Sequence, residues 1–414
     1  MINSLQPWKP APHRTPALPA GHRDGVAGGA RGCGENTRTP AHVCLPEGHR
    51  DGVRHSAGRP QLLGLRLTRL ACGKLGVYCL PEWPAMAGGV PEGPGTLARG
   101  RWASVNRCKE HIVSYLEDQR QKAVQIRDAL FRDPGSGLFN GKARNFVLKD
   151  QSLNLWDGIR EDAKQYFRQC RIPWWKGSAD DPTGHLLSSQ VACLNHLYYV
   201  RQRKDIATAL LKRANPDIVE ALVVDDGVVE FEYIGKKQYL KEKAFTRGAN
   251  CTSLDAVMLG VTSEAKRIMF LIEWKYTEMY KREDLYVPER AAVYDSLIAR
   301  SDGPFVVGAD PKSFYYEPFY QMMRQTLLGW LFAKNREMNC DSCVNVHVIP
   351  SDNLELKRNM TSPTFRGQHI HEAWKNTLKV PDSYVPIDPA SLLRDAAHLV
   401  DTKSWLSYLR ARYW

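Results

Sequence analysis

Residues 267–276 read RIMFLIEWKY. Five apolar residues, Ile268 to Ile272, run without a break and give way at once to Glu273 and Lys275. A run of this kind suits a central strand buried on both faces. Such a strand needs covering layers on both sides of its sheet. Charge inside it is costly unless it is paired, hydrogen-bonded or bound to a metal. Glu273 and Lys275 are two apart, so on one strand they point to the same face.

The neighbouring segments supply the rest of a sheet. Residues 228–234 (VVEFEYI) alternate and are β-branched or aromatic, which predicts a strand. Residues 251–259 (CTSLDAVML) predict a second, 267–276 a third and 344–349 (VNVHVI) a fourth. Helical spacing of Leu187, Val191, Leu194 and Tyr198 predicts a helix over 183–201. Another helix at 205–214 stops near Asn215-Pro216. Phe319, Met322, Met323, Leu327, Trp330 and Leu331 give a helix at 318–334 an apolar side, with Pro318 in its first turn. The order is helix, three strands, helix, strand. It predicts an α/β core over 183–350, a mixed sheet flanked by helices. Helices at 109–130 and 157–168, the segment at 146–148 and further helical elements at 355–414 would pack around it.

Residues 1–105 have a different character. They hold 17 of the 31 glycines and 12 of the 25 prolines. That density marks sequence that does not easily build a core. LPAGHRDGV (18–26) returns as LPEGHRDGV (45–53), too few copies for a solenoid. The expectation is a disordered extension over 1–105 and one domain over 106–414. The extension carries 13 Lys and Arg against 6 Asp and Glu, more than half of the net charge of +12. A polyanion argument from bulk charge is therefore weaker than the total suggests.

No segment has the ~18 consecutive apolar residues of a membrane span, and the first residues lack the apolar stretch of a secretory signal. Ten cysteines scattered through a charged chain read as reduced thiols in a cytoplasmic protein. The lone CxxC at Cys340 and Cys343 has no second pair to complete a zinc site, and reads as two free thiols.

The chemistry concentrates at 255–275. If the second and third strands pair as a hairpin, Asp255 lies beside Glu273. Two converging carboxylates, with the backbone carbonyl of Trp274, make an oxygen-rich site for Mg²⁺. The ion would polarise a phosphodiester, and Lys275 would orient the nucleophile or support the transition state. The bland alternative is a buried Asp255–Lys275 or Glu273–Lys275 ion pair that only fixes strand register.

In element order and in this triplet the chain resembles the PD-(D/E)XK nuclease superfamily. More closely, residues ~138–414 resemble a bacterial family of restriction-endonuclease-like proteins within it. The matching stretches are PTGHLLSSQVACLNHL (182–197), SLDAVML (253–259), FLIEWKYTE (270–278), EPFYQMMRQTLLG (317–329) and WLSYLRARYW (405–414). The resemblance implies a restriction-endonuclease-like core and a metal-dependent nuclease that hydrolyses phosphodiesters. A DNA endonuclease of restriction or defence type is expected, using Mg²⁺ or Mn²⁺. It maps the catalytic roles onto Asp255, Glu273 and Lys275. Leu254 replaces the proline of the superfamily's name. RNA or branched DNA as substrate, a homodimer, and a catalytically silent nucleic-acid-binding protein on the same fold all stay open.

Further candidates surround the triplet. Gln190 stands where many superfamily members have a glutamate that helps the metal, and a hydrogen-bonded core amide is the alternative. Ser188, Ser189 and Asn195 are lesser candidates, and His185 is read as helix-terminal. Glu278 reaches the site, pairs with Lys275 or is solvated. Glu230 and Glu232 are candidates for a third carboxylate. Gln321, Arg324 and Gln325 share a polar side of the helix at 318–334, where related nucleases line the site. Trp174-Trp175-Lys176 suits base stacking or a core lid. The C-terminal Arg410 and Arg412 suit docking or phosphate contacts.

Overall fold

The computed structural model describes residues 114–414, so the expected extension over 1–105 lies outside the described residues. The first described helix, α1 (Tyr115–Ile126), is capped by Ser114, whose hydroxyl accepts from the Glu117 amide. A short hairpin follows, β1 (Gly137–Phe139) and β2 (Lys142–Arg144), then α2 (Arg160–Gln169). The expected helix at 183–201 is shorter: α3 spans Ser189–Leu197 and ends in a 3₁₀ turn over Tyr199–Gln202. Residues 183–188 do not join it, because the Ser188 hydroxyl accepts from the Val191 amide and sets the helix start. Helix α4 (Lys204–Ala214) falls where expected.

Four strands then come in succession rather than three: β3 (Ile218–Leu222), β4 (Glu230–Tyr233), β5 (Leu254–Thr262) and β6 (Arg267–Trp274). After α5 (Pro288–Ile298) and α6 (Phe319–Lys334) comes β7 (Ser342–Val348). Helices α7 (Leu354–Arg358) and α8 (Ile370–Lys375) lead to β8 (Tyr384–Ile387), and α9 (Pro389–Leu392) and α10 (Lys403–Arg412) end the chain.

The sheet order is β3-β5-β6-β7-β8, with β4 also on β5. Strand β5 is antiparallel to β3, β4 and β6, whereas β6–β7 and β7–β8 are parallel. The sheet is therefore mixed, as predicted. The parallel pairing of β6 and β7 requires a crossover, and α5 and α6 provide it.

Alternation along β6 sorts its side chains between two layers. Phe270, Ile272 and Trp274 pack with α3, α4 and α10 through Val191, Leu194, Ile206, Leu210 and Leu409. Met269 and Leu271 pack with α6 through Met323, Leu327 and Phe332. By the same alternation Glu273 and Lys275 belong to the α6 layer.

Candidate active site

At the end of the sheet where β4 finishes and β5 begins, the alternation breaks. Phe231 and Ala256 face each other in the α3 layer, and Tyr233 and Leu254 face each other in the α6 layer. Two residues apart on a regular strand, Phe231 and Tyr233 would share a face. The turn between them is made by Glu232, whose φ of 48° is left-handed. A non-glycine residue held there costs about 1–3 kcal/mol, and such residues cluster at functional sites. Asp255 occupies the matching place on β5, between Leu254 and Ala256.

Strands β5 and β6 form the expected hairpin pair, with Ala256 opposite Ile272. One step further, Asp255 stands against Glu273 and Trp274, and its Oδ2 accepts from the Trp274 amide at 2.7 Å. The carboxylate thus bonds an amide at the end of the β5–β6 ladder.

Glu273 and Lys275 are both buried and form an ion pair. Helix α6 completes their surroundings. The Gln321 side chain bridges the pair: its Nε2 donates to Glu273 Oε1 at 2.6 Å, and its Oε1 accepts from Lys275 Nζ at 2.7 Å. Gln325 Nε2 donates to Glu273 Oε2. The spacing of four places both amides on one helix face. The Lys275 ammonium also lies 5.9 Å from the centre of the Tyr280 ring.

On the α3 side, Gln190 Nε2 donates to Glu232 Oε1 at 2.9 Å, and Ser253 Oγ donates to Glu232 Oε2 at 2.9 Å. The Gln190 oxygen accepts from the Trp175 amide. Gln190 is thus both a hydrogen-bonded amide and a neighbour of the carboxylates. Gln190, Glu232 and Asp255 line one small void together.

Asp255 thus lies within electrostatic reach of two other acids, Glu273 and Glu232, and of Lys275. Burial raises the Asp255 carboxyl well above the usual carboxylate range, and the charges of Glu273 and Glu232 push it further. Burial likewise raises Glu232, with Glu273 adding to the shift against the hydrogen bonds from Gln190 and Ser253. Burial opposes the charge on Lys275, but Glu273, Tyr280, Glu278 and Asp255 together outweigh it and hold the ammonium protonated.

Other candidates fall elsewhere. Glu278 folds back on the backbone and accepts from the Tyr276 amide at 2.5 Å. Among the described residues it forms no ion pair with Lys275. Arg324 points away from Glu273. Its guanidinium lies 4.7 Å from the Tyr320 ring centre, donates to Thr252 Oγ1 at 3.4 Å, and lines a separate 360 Å³ cavity with Arg290 and Lys243. Glu230 is taken up by Arg201, Arg247 and Tyr166, so of the two acids on β4 only Glu232 faces Asp255.

Among the described residues, Asp225, Asp226 and Glu230 are the group of three whose ligand atoms lie within 4.8 Å of one another. Arg201 bonds both Asp226 and Glu230 there and neutralises much of that charge.

Asn195 is structural. It bonds the Trp156 amide, the Asn154 carbonyl and the Tyr413 hydroxyl. His185 lies just ahead of α3, packed on Phe139 and Phe146. The tryptophan pair divides: Trp174 stacks on Phe167 at 3.9 Å in the core, whereas Trp175 is 43% exposed. Arg412 does not face solvent; it is buried and donates to the Asn154 carbonyl at 2.6 Å. Cys340 and Cys343 are free thiols.

Ser253 gave no signal in the sequence. Gln325 was visible only through its spacing from Gln321. His347, opposite Glu273 on β7 and buried, was also missed, because a histidine inside VNVHVI reads as part of a strand.

No helix among the described residues is long and apolar enough to cross a membrane. No curated protein and no solved structure matches the chain. One family model does match, over residues 125–414, and its description is restriction endonuclease associating with ARP. That match covers well over half of the 414 residues, so the chain belongs to this restriction-endonuclease-like family.

Proposed function

We propose that the chain is a Mg²⁺-dependent nuclease of the PD-(D/E)XK type, a DNA endonuclease of restriction or defence function. The observation that carries this reading is the excess of buried carboxylate: Glu273 is paired with Lys275, while Asp255 is buried against the charges of both Glu273 and Glu232. An ion pair that merely fixed register would need one acid. Family membership supports the substrate class.

The residues fit a hard divalent cation. Their donors are all oxygen, and Mg²⁺ is commonly held by one or two carboxylates with water and substrate oxygens completing its shell. Asp255 and Glu273 would hold it, with the Trp274 carbonyl and Glu232 beside them. When bound, the ion would polarise the phosphodiester and offset developing negative charge. Lys275 brings a fixed positive charge to the reacting phosphate and stays protonated because Glu273 adjoins it. Gln321 bonds both members of the Glu273–Lys275 pair and fixes its orientation. Gln190 and Ser253 hold Glu232 towards Asp255.

The test is cleavage of plasmid, linear duplex, single-stranded DNA and RNA with Mg²⁺ or Mn²⁺. Asp255→Ala is expected to abolish it, and Lys275→Ala to slow it by about 10²–10³-fold. Full activity in Asp255→Ala sinks the reading. One observation favours a second reading, a silent nucleic-acid-binding protein: Gln321, Gln325 and Lys275 already engage both oxygens of Glu273. That reading expects DNA binding, no cleavage with either metal, and unchanged binding in Glu273→Gln.

A further inference from the structure

Trp175 is the most exposed tryptophan among the described residues. Its backbone nevertheless reaches the buried acids. The Trp175 amide donates to Gln190 Oε1 at 2.9 Å, and Gln190 Nε2 donates to Glu232 Oε1 at 2.9 Å. Gln190 also lines the small void shared by Glu232 and Asp255. One side chain therefore separates the exposed indole from the carboxylates of the candidate site.

The β1–β2 hairpin stands beside this indole. Asn140 and Gly141 hold φ of 51° and 72°, the left-handed pair that a two-residue hairpin turn needs. Phe139 lies opposite Lys142 and Gly137 opposite Arg144, and opposite residues share a sheet face. The Phe139 ring centre is 5.9 Å from that of Trp175 and 4.5 Å from that of His185. That contact brings the hairpin face carrying Lys142 and Arg144 up to Trp175. The hairpin is also tied to the body of the domain. The Gly137 amide donates to the Val147 carbonyl at 3.1 Å, and the Leu148 amide to the Gly184 carbonyl at 2.9 Å.

Charge decides what such a surface takes. The side chains of Lys142, Arg144 and Lys176 form no hydrogen bond or ion pair among the described residues. The nearby acids, in contrast, are engaged. Asp133 is buried and accepts from the Gly135, Lys149 and Asp150 amides. Asp181 pairs with Lys164 at 2.8 Å, and Asp180 with Arg168 at 3.8 Å. A single exposed apolar residue is ordinary. An exposed indole among unpaired cations is the combination that holds a single strand, with the ring stacked on a base and the cations along the phosphates. A fully paired duplex keeps its base faces covered and offers this ring none.

We propose that Trp175 stacks on an unpaired base of a DNA strand beside the candidate metal site, while Lys142, Arg144 and Lys176 bind its phosphates. The site deepens the nuclease reading, on which it rests for the choice of DNA. The substrate it fits is single-stranded DNA or a duplex with an unpaired segment.

The test is fluorescence anisotropy of the full chain with EDTA present, so that binding is read without cleavage. The probes are a short labelled single strand, a fully paired duplex and a duplex with a single-stranded overhang. Trp175→Ala is expected to weaken binding of the single strand and the overhang about tenfold, to leave the paired duplex unchanged, and to keep the wild-type Tm. Trp175→Phe should restore most of the loss. Lys142→Ala should make the slope of log affinity against log salt shallower by about 0.7 on the single strand. Removing single bases from the overhang locates the stacked one: at that position wild type and Trp175→Ala should bind alike. Equal affinity of wild type and Trp175→Ala for the intact overhang overturns the proposal, as does an equal loss on the paired duplex. Failure of the wild type to bind single-stranded DNA overturns it too. Cleavage with Mg²⁺, measured separately, keeps the two readings apart. A cleaving chain whose binding ignores Trp175 loses only this site, and Trp175-dependent binding without cleavage loses only the nuclease.

Discussion

Asp255 is more costly to the metal-free protein than an ordinary aspartate, because burial and two neighbouring acids oppose its ionisation. A carboxyl with a raised folded value is favoured in its neutral form, so its contribution to stability is full below about pH 4 and is lost as pH rises through the raised value. Glu232 acts in the same direction. Asp255→Asn removes the charge and keeps the shape, so it is expected to stabilise the metal-free protein at pH 8. The gain should be about 1–2 kcal/mol, a rise of roughly 2–6 °C in Tm for a chain of this size. The gap between variant and wild type should widen from pH 4 to pH 8 in thermal melts. Mg²⁺ at about 10 mM should close it by stabilising only the wild type. A variant less stable than wild type at pH 8 contradicts the electrostatic account. Gln321 gives a second residue-scale test. Gln321→Ala leaves Glu273 and Lys275 paired but removes the bridge between them. Loss of such an orienting partner is expected to lower kcat by about 10–100-fold while KM for DNA stays nearly constant. A change confined to KM would place Gln321 in substrate binding instead.

Elements decide where those residues stand, and here the sequence was uneven. The β5–β6 hairpin and α6 were legible, because a five-residue apolar run and a helical apolar face are strong periodic signals. Strand β3 was not, because Ile218-Val219-Glu220-Ala221-Leu222 is short and lies straight after α4 and its Asn-Pro stop. Strand β8 was hidden too, since Tyr384–Ile387 contains Pro386 and pairs on one side only. The left-handed turn at Glu232 left no trace, because nothing in EFEY marks a residue with positive φ. That turn is what brings Glu232 to Asp255, so the triplet was readable and the third acid remained one of two options. Packing of α6 on the sheet offers a test at this scale. A Cβ on Gly329 would meet Leu271 Cδ1 at 2.5 Å and Cys343 Cβ at 3.3 Å. Gly329→Ala gains about 1 kcal/mol of helix propensity, but overpacking a closed core costs about 1–3 kcal/mol. Leu271 is 1% exposed and has little room to swing aside. Packing therefore wins: Gly329→Ala is expected to lower stability by up to about 2 kcal/mol, and Gly329→Val by more, read by urea denaturation. Both should also reduce cleavage, since the helix carrying Gln321 and Gln325 is pushed off Glu273. A stabilised Gly329→Ala would show that the α6–β6 packing has slack.

Across the whole molecule, the charge and the chemistry are separated along the chain. The family match begins at residue 125, and the candidate site lies wholly within it. The last residues belong to the core: Trp405 Nε1 bonds the Asn195 carbonyl, and Arg412 bonds Asn154 across 258 residues of sequence. Residues 1–105, by contrast, hold more than half of the net positive charge. Removing them should therefore leave the core interactions intact while lowering the electrostatic attraction to DNA. A chain starting at residue 106 is expected to melt within about 2 °C of the full chain, a difference under 1 kcal/mol. It should also cleave at saturating DNA with the same kcat. Its KM at low salt should rise, and the slope of log affinity against log salt should become shallower by about one for each phosphate that is no longer neutralised. The two halves of this prediction fail separately. A large fall in Tm would mean that the first 105 residues pack on the core. An unchanged salt slope would mean that their charge never meets the nucleic acid, and that the +5 remaining on residues 106–414 suffices for binding.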